Sequence, residues 1–348
     1  FGRLELAGPF APVDWHIHEA LFGYTSAVIT GFLFTAVPNW TGRTPQRGWS
    51  LGALALLWLA GRLAVAGLGG LGPVIVLLLD VSFMFIVLAL IIREIIAGKN
   101  WRNMMVAVPV GLFGLANLGF HFEVIKYGGA QLGWAVGFAV VIFLIMLIGG
   151  RVIPAFTRNW LKKQGATALP AAFGKFDGAA LAVGAVALLV WAFVGGALAG
   201  ALLIIAGIVH LARLSRWQGR AIVASPLLLM LHMAYLMIPV GLLALGASEF
   251  GLFGRAAGLH LLGIGAVGGT TCAVMMRATL GHSGRPLVAG RALTLGFVLI
   301  IIAALMRAGF GGLAPLGISG LIWAGGLWTL GYGLILVRLM PMLVAPKI

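Results

Sequence analysis

Acidic residues are almost missing from this chain. Of 348 residues only 8 are Asp or Glu, against 23 Lys or Arg, and charged residues of both signs make up 9%. A soluble domain carries about 25% charged residues, so a water-soluble globule is excluded. There is a single cysteine, Cys272, which rules out an internal disulfide and says nothing about compartment. Several chemical signatures are absent as well. No CxxCH occurs, so no haem is attached covalently, and neither GxxxxGKS nor HExxH is present, which removes phosphate-loop and zinc-protease chemistry.

What is present is apolar: 61% of residues are hydrophobic and the mean hydropathy is +1.11. A spanning helix needs about 20 apolar residues, and in lipid only helices or closed barrels satisfy their own backbone groups. The long apolar runs therefore predict an all-α, polytopic transmembrane helical bundle, one transmembrane domain over 1–348. Eleven spans are expected, near 16–38, 49–68, 73–97, 103–124, 131–153, 177–197, 198–214, 225–247, 252–279, 288–308 and 315–339. The chain starts at Phe1 rather than Met, so at least one residue, and as much as a helix, is expected upstream. Glycine totals 53, and small residues let membrane helices approach closely, as Gly263, Gly265, Gly268 and Gly269 on the ninth span suggest.

A net charge of +15 would point to nucleic acid in a soluble protein, but here it reports topology and no nucleic-acid partner is implied. With eleven alternating spans, one face collects the basic residues from Arg43 and Arg47 through Lys162, Lys163, Arg216 and Arg285 to Lys347. The other face receives Arg3, Lys126, Arg255 and Arg307. That asymmetry makes the first face cytoplasmic and starts Trp15 on the outside. The basic stretch 157–176 reads as the longest cytoplasmic loop and a contact for anionic lipid.

The chemistry is carried by histidine. In Trp15-His16-Ile17-His18-Glu19, at the mouth of the first span, Asp14 can cap the helix. A separation of two residues rotates about 200° on a regular helix, so His16 and His18 share one ion only if this turn is distorted; otherwise they serve different centres. Sorted by depth, His16, His18, His121 and His260 fall in the outer half with Glu19 and Glu123, while His210 and His232 fall in the inner half and His282 in the loop beneath. Arg62 and Asp80 sit at matching depth on consecutive spans and are expected to pair, since an unpaired charge in lipid is costly; a haem propionate is the alternative partner for Arg62. Cys272, Met275 and Met276 read as packing rather than copper ligands.

Ligand arithmetic suggests a cofactor set. A haem-copper centre takes one axial histidine on iron and about three on copper, and an electron-transfer haem takes two. The outer group then gives copper His16, His18 and His121, with His260 on haem iron. An equally economical variant gives iron His18 or His121 and copper His260. His210 and His232 become the axial pair of an inner haem, and Glu19 and Glu123 deliver protons from outside.

The segments Trp15-His16-Ile17-His18-Glu19 with Phe22-Gly23-Tyr24, Gly31-Phe32-Leu33 to Thr41-Gly42, Gly150-Arg151-Val152-Ile153-Pro154, and Met276-Arg277 to Leu280-Gly281-His282-Ser283-Gly284-Arg285 resemble the NnrS family over nearly the full length. The resemblance implies a multi-pass protein of the bacterial inner membrane with about twelve helices, containing haem and copper and associated with nitric oxide and denitrification. Members carry one more helix before the WHxHE motif. The expectation is a haem-copper membrane oxidoreductase acting on nitric oxide near the outer face, with non-covalent haem of b type, one or two copies, copper, and a quinol or cytochrome c as electron donor. The alternative is a transporter or sensor of copper, haem or nitrosyl-metal species.

Overall fold

The computed structural model describes residues 8–345, the side chain of Arg102 excepted; Arg3 and Lys347 of the topology argument lie outside the described residues. Among the described residues, ten helices are long and apolar enough to cross a membrane: α1 (Pro12–Thr41), α3 (Pro73–Ala97), α4 (Asn103–Tyr127), α5 (Leu132–Lys163), α6 (Lys175–Phe193), α7 (Gly196–Ser215), α8 (Pro226–Ser248), α9 (Arg255–His282), α10 (Gly290–Phe310) and α11 (Gly320–Val344). An eleventh apolar helix, α2 (Trp49–Val65), is shorter. No strand occurs among the described residues. The protein is thus a polytopic helical membrane protein. Side chains such as Leu56, Leu78, Ile205 and Leu330 remain exposed, as lipid-facing residues should, because the surrounding acyl chains are equally apolar.

The expected span boundaries agree with these helices within a few residues, with one larger departure. α5 continues through Pro154 to Lys163, so the first part of the expected 157–176 loop is helical. The chain then turns back with Arg158 donating to the carbonyl of Pro170, and that bond ties the end of α5 to the loop.

The chain divides into two compact units, residues 1–141 and 142–348. In the first, α2 packs on α3, α3 on α4, and α1 on α3. In the second, α6, α7, α8 and α9 pack in succession and α10 lies along α11 and α9. Two glycine pairs make the second unit possible. Gly195 and Gly196 have φ of +68° and +69°, a left-handed turn that glycine adopts without strain and that reverses the chain between α6 and α7. Farther along, a Cβ on Gly200 would come within 2.9 Å of the Gly246 carbonyl and one on Gly246 within 2.8 Å of the Gly200 carbonyl, so α7 and α8 touch backbone to backbone. The spacing Gly263, Gly265, Gly268 matches a dinucleotide-binding fingerprint, but it lies inside membrane helix α9 with no strand before it, and Gly265 packs against Met237 and Gly268 against Tyr332 instead.

Two helices lose their regular winding. α1 switches to a π-helix over Glu19–Gly23, directly after His18, and α9 does so over Leu261–Gly268, directly after His260. Such widened turns occur frequently at functional sites.

Candidate metal centre

The turn that carries His16 and His18, Pro12–His18, is regular, and the π-helical stretch begins only after both, so the two rings point apart as about 200° of rotation requires. His18 is completely buried, whereas His16 stays on the exposed side of the helix. The two side chains therefore do not converge. The widened turn after His18 instead leaves Gly23 facing the α2 arginine: a Cβ there would lie 2.9 Å from Glu19 Oε2 and crowd Arg62 Nη1.

Around His18, three further helices supply polar groups. Asp80 comes from α3, and Asn117 and His121 come from α4, one turn apart and so on one face. Asp80 Oδ2 is the common point: it accepts from Asn117 Nδ2 at 2.7 Å and lies 3.0 Å from His18 Nε2 and 2.9 Å from His121 Nε2. Its other oxygen pairs with Arg62, and Arg62 also pairs with Glu19. The loop closes through Glu19 Oε1, 3.1 Å from His18 Nδ1. The depth argument that joined Arg62 to Asp80 thus holds, and Asp80 does more than neutralise the arginine. Gly61, at the α2–α3 crossing, permits the approach, since a Cβ there would stand 3.2 Å from Asp80 Cα.

Burial makes this arrangement consequential. Asp80 and His121 are almost fully covered, and Phe10, Phe22 and Phe120 ring His18 at centroid distances of 4.9, 5.5 and 5.1 Å. Water is kept out, so each polar atom needs a protein partner. The protons do not match the acceptors. His18 faces carboxylate oxygen through Nδ1, and both Asp80 Oδ2 and Asn117 Oδ1 through Nε2, the latter also at 3.0 Å. A neutral imidazole has one N–H and one lone pair, so one nitrogen must present its lone pair to oxygen lone pairs. Two carboxylates against one guanidinium also leave one negative charge. A cation placed among these atoms resolves both defects: either a second proton on His18 or a metal ion.

The donor set suits the metal ion. The ligand atoms of His18, Asp80 and His121 lie within 4.8 Å of one another, and two imidazoles with one carboxylate are ligands for redox-active transition metals. Glu19 on the far nitrogen of His18 is the outer-shell carboxylate that orients a metal-binding imidazole and fixes its tautomer. His18, Asp80 and His121 form a buried group that can bind a metal.

The other expected residues fall elsewhere. Glu123 accepts from the backbone N–H groups of Gln131, Leu132 and Gly133, at 2.6 to 3.3 Å for its nearest contacts, and so caps the start of α5. In the second unit, His260 opens the π stretch of α9 and donates through Nδ1 to the Ala256 carbonyl at 2.7 Å. His282 is exposed at the end of α9.

His210 and His232 are both buried, and the two differ. His232 has its nitrogens on backbone carbonyls, Nδ1 2.9 Å from Leu228 and Nε2 3.4 Å from Trp217. His210 differs: Nδ1 lies 2.9 Å from the Tyr235 hydroxyl, while Nε2 makes no well-aligned hydrogen bond, with the Ala180 carbonyl beside the ring. Tyr235 in turn accepts from Arg213 Nη1 at 3.1 Å, and Arg213 donates through Nε to Asp177 at 2.9 Å and through Nη1 to the Met146 carbonyl at 2.9 Å. The bare nitrogen looks onto Gly184, where a Cβ would stand 3.0 Å from it and 2.9 Å from Met146 Sδ. Between the two histidines lie Tyr235 and Trp217, whose rings are 4.5 Å apart.

The fold and the buried cluster define a polytopic helical membrane protein with a metal-competent histidine–carboxylate centre. The chain belongs to the NnrS family, whose model, described as NnrS protein, matches residues 2–347. Family membership links it to the nitric oxide response. No curated protein and no solved structure matches the chain.

Asn117, Asp177, Arg213 and Met146 are absent from the sequence-based site, and part of this was readable. Asn117 stands one helical turn before His121, and intramembrane carboxylates are functional candidates by default. Nothing in the linear spacing, however, brings Asp177 on α6 to Arg213 on α7 or sets Met146 beside Gly184.

Proposed function

We propose that this protein is a haem-copper membrane oxidoreductase that acts on nitric oxide at a metal centre held by His18, His121 and Asp80. The observation that carries the reading is the unmatched lone pair of fully buried His18 between two carboxylates, which a metal cation satisfies. Imidazole nitrogens suit copper and iron alike. When bound, the metal supplies a redox-active site at which a small diatomic can coordinate and its developing charge be countered.

The protein's own part is positional. Asp80 neutralises charge and holds the two imidazoles at one point, Arg62 fixes Asp80 and Glu19, and the phenylalanine ring keeps water away. Glu19 is the group through which a proton can reach the interior, because its side chain is 21% exposed while it touches buried His18 Nδ1. Proton delivery thus rests on Glu19, with Glu123 occupied as a helix cap.

For the haem, His210 is the better-suited ligand. Its Nε2 makes no well-aligned hydrogen bond and can donate to iron in the tautomer whose proton sits on Nδ1 and is donated to Tyr235. His232 is the weaker candidate because a backbone carbonyl faces each nitrogen. His260 remains the choice for a second iron, and the haem expected is non-covalent and of b type. A bacterial inner-membrane location is what membership of the NnrS family implies, and the basic asymmetry of the loops sets which side is cytoplasmic.

The alternative, a transporter or sensor of copper, haem or nitrosyl-metal species, draws on the interrupted helices, since α1 and α9 leave regular winding beside His18 and His260. Metal and haem analysis of the purified protein separates the two. Stoichiometric copper and haem, with optical spectra that change on nitric oxide addition and consumption of nitric oxide under reducing conditions, support the enzyme. Purified protein that retains bound metal but never consumes nitric oxide supports transport or sensing, and protein that takes up neither copper nor iron overturns the metal centre.

A further inference from the structure

The motif Leu280-Gly281-His282-Ser283-Gly284-Arg285 has no part in either cluster, yet it ends on an unusual arginine. Arg285 Nη1 is buried and has no hydrogen-bond partner. It borders a cavity of about 460 Å³ in the second unit, lined also by Arg338 and by Leu280, Leu293, Pro341 and Met342. No ion pair among the described residues involves Arg285 or Arg338. Nor can the second unit supply one easily. Its acids are Asp177 and Glu249: Asp177 is taken by Arg213 and Arg216, and Glu249 accepts from the backbone of Gly196.

Two cations and apolar walls in one cavity, at the basic ends of α9 and α11, call for an anion that carries its own hydrocarbon. We propose that this cavity binds the phosphodiester headgroup of an anionic phospholipid from the leaflet on the arginine-rich face. Arg285 and Arg338 engage the phosphate, because a guanidinium presents paired donors that match its oxygens, while Leu280, Leu293 and Met342 line the path of the glycerol and upper acyl chain. The start of α10 adds to this, since it opens at Gly290 on the cavity with no side-chain cap and its backbone N–H groups favour an anion. Pockets of this kind, basic and between helices near the membrane surface, hold lipid headgroups in other membrane proteins. The site would anchor the α9–α10 connection to the bilayer.

The test uses the full chain in phosphatidylcholine nanodiscs, doped with phosphatidylglycerol or exposed to inorganic phosphate, with retained lipid measured by native mass spectrometry. Phosphatidylglycerol should be retained preferentially. Arg285→Gln and Arg338→Gln should each weaken retention roughly 5-fold, from about 1 kcal/mol per basic residue near the surface, and the double variant more. Arg220→Gln, a change at an exposed basic residue on the same face, should leave retention unchanged. Should the arginine variants not fold, Met342→Trp keeps both charges while narrowing the apolar side of the cavity and should weaken lipid retention. Equal retention of phosphatidylcholine, loss in the Arg220 control to the same degree, or full retention in the Met342 variant would overturn the proposal. If inorganic phosphate competes as well as the lipid, the site takes free phosphate and the lipid assignment is wrong.

Discussion

The two buried polar clusters are built from similar parts and solve different problems. Around Asp80, two imidazoles, a guanidinium and an amide crowd one carboxylate, and the result has more lone pairs than protons to fill them. Around Arg213, one guanidinium is shared among a carboxylate, a backbone carbonyl and a tyrosine hydroxyl, and Arg216 reaches the same carboxylate, so the excess charge there is positive. The first cluster asks for a cation. The second leaves two buried nitrogens bare, His210 Nε2 and Arg213 Nη2. A buried charge is tolerated when paired and hydrogen-bonded, so an incomplete network is the more informative of the two: it marks where a ligand belongs.

The largest effects should come from removing each carboxylate. Asp80→Ala leaves Arg62 buried with Glu19 as its only anion, and Asp177→Ala leaves Arg213 with neutral partners alone. Loss of one member of a buried pair costs about 3–5 kcal/mol, so both variants should unfold at markedly lower denaturant. Only Asp80→Ala should also lose the metal, as read by elemental analysis. If Asp177→Ala emptied the metal site to the same extent, the two clusters would not be independent and the comparison would fail.

A smaller change sharpens the role of Glu19. Glu19→Gln keeps size and hydrogen-bonding capacity while removing the charge behind His18, and loss of such an outer-shell carboxylate lowers metal affinity about 10–100-fold. A competition titration with a chelator would measure it; an unchanged affinity would reduce Glu19 to a partner of Arg62.

The bare nitrogen of His210 can be probed without touching a polar group. Gly184→Ala places a methyl 3.0 Å from Nε2 and 2.9 Å from Met146 Sδ, which should cost about 1–3 kcal/mol by overpacking and alter the haem spectrum while leaving copper content intact. A spectrum identical to that of the parent protein would remove His210 from the haem site. The smallest effect belongs to His16, which is exposed. His16→Ala should change stability by no more than about 0.5 kcal/mol and leave metal content as it was; loss of copper would restore His16 to the centre.

The class of the protein was written in its composition. Few charges, a high mean hydropathy and long apolar runs leave helices as the only structure that satisfies the backbone in lipid, and the helices begin and end close to where hydropathy places them. Burial depth is also a one-dimensional quantity, set by counting residues along a helix of fixed rise, so the pairing of Arg62 with Asp80 was within reach of the sequence. Direction around a helix was not. The π turn after His18 is a change in winding that the residues Glu19–Gly23 do not announce. The split between His16 and His18, by contrast, follows from the regular turn that carries both. Membership of the cluster was likewise decided by which helices touch: Asp80, Asn117 and His121 meet His18 because α1 packs on α3 and α3 on α4. Hydropathy cannot select neighbours, because against lipid every apolar helix face is equivalent; packing of small residues and pairing of buried charges, which act only once the helices are assembled, made that choice.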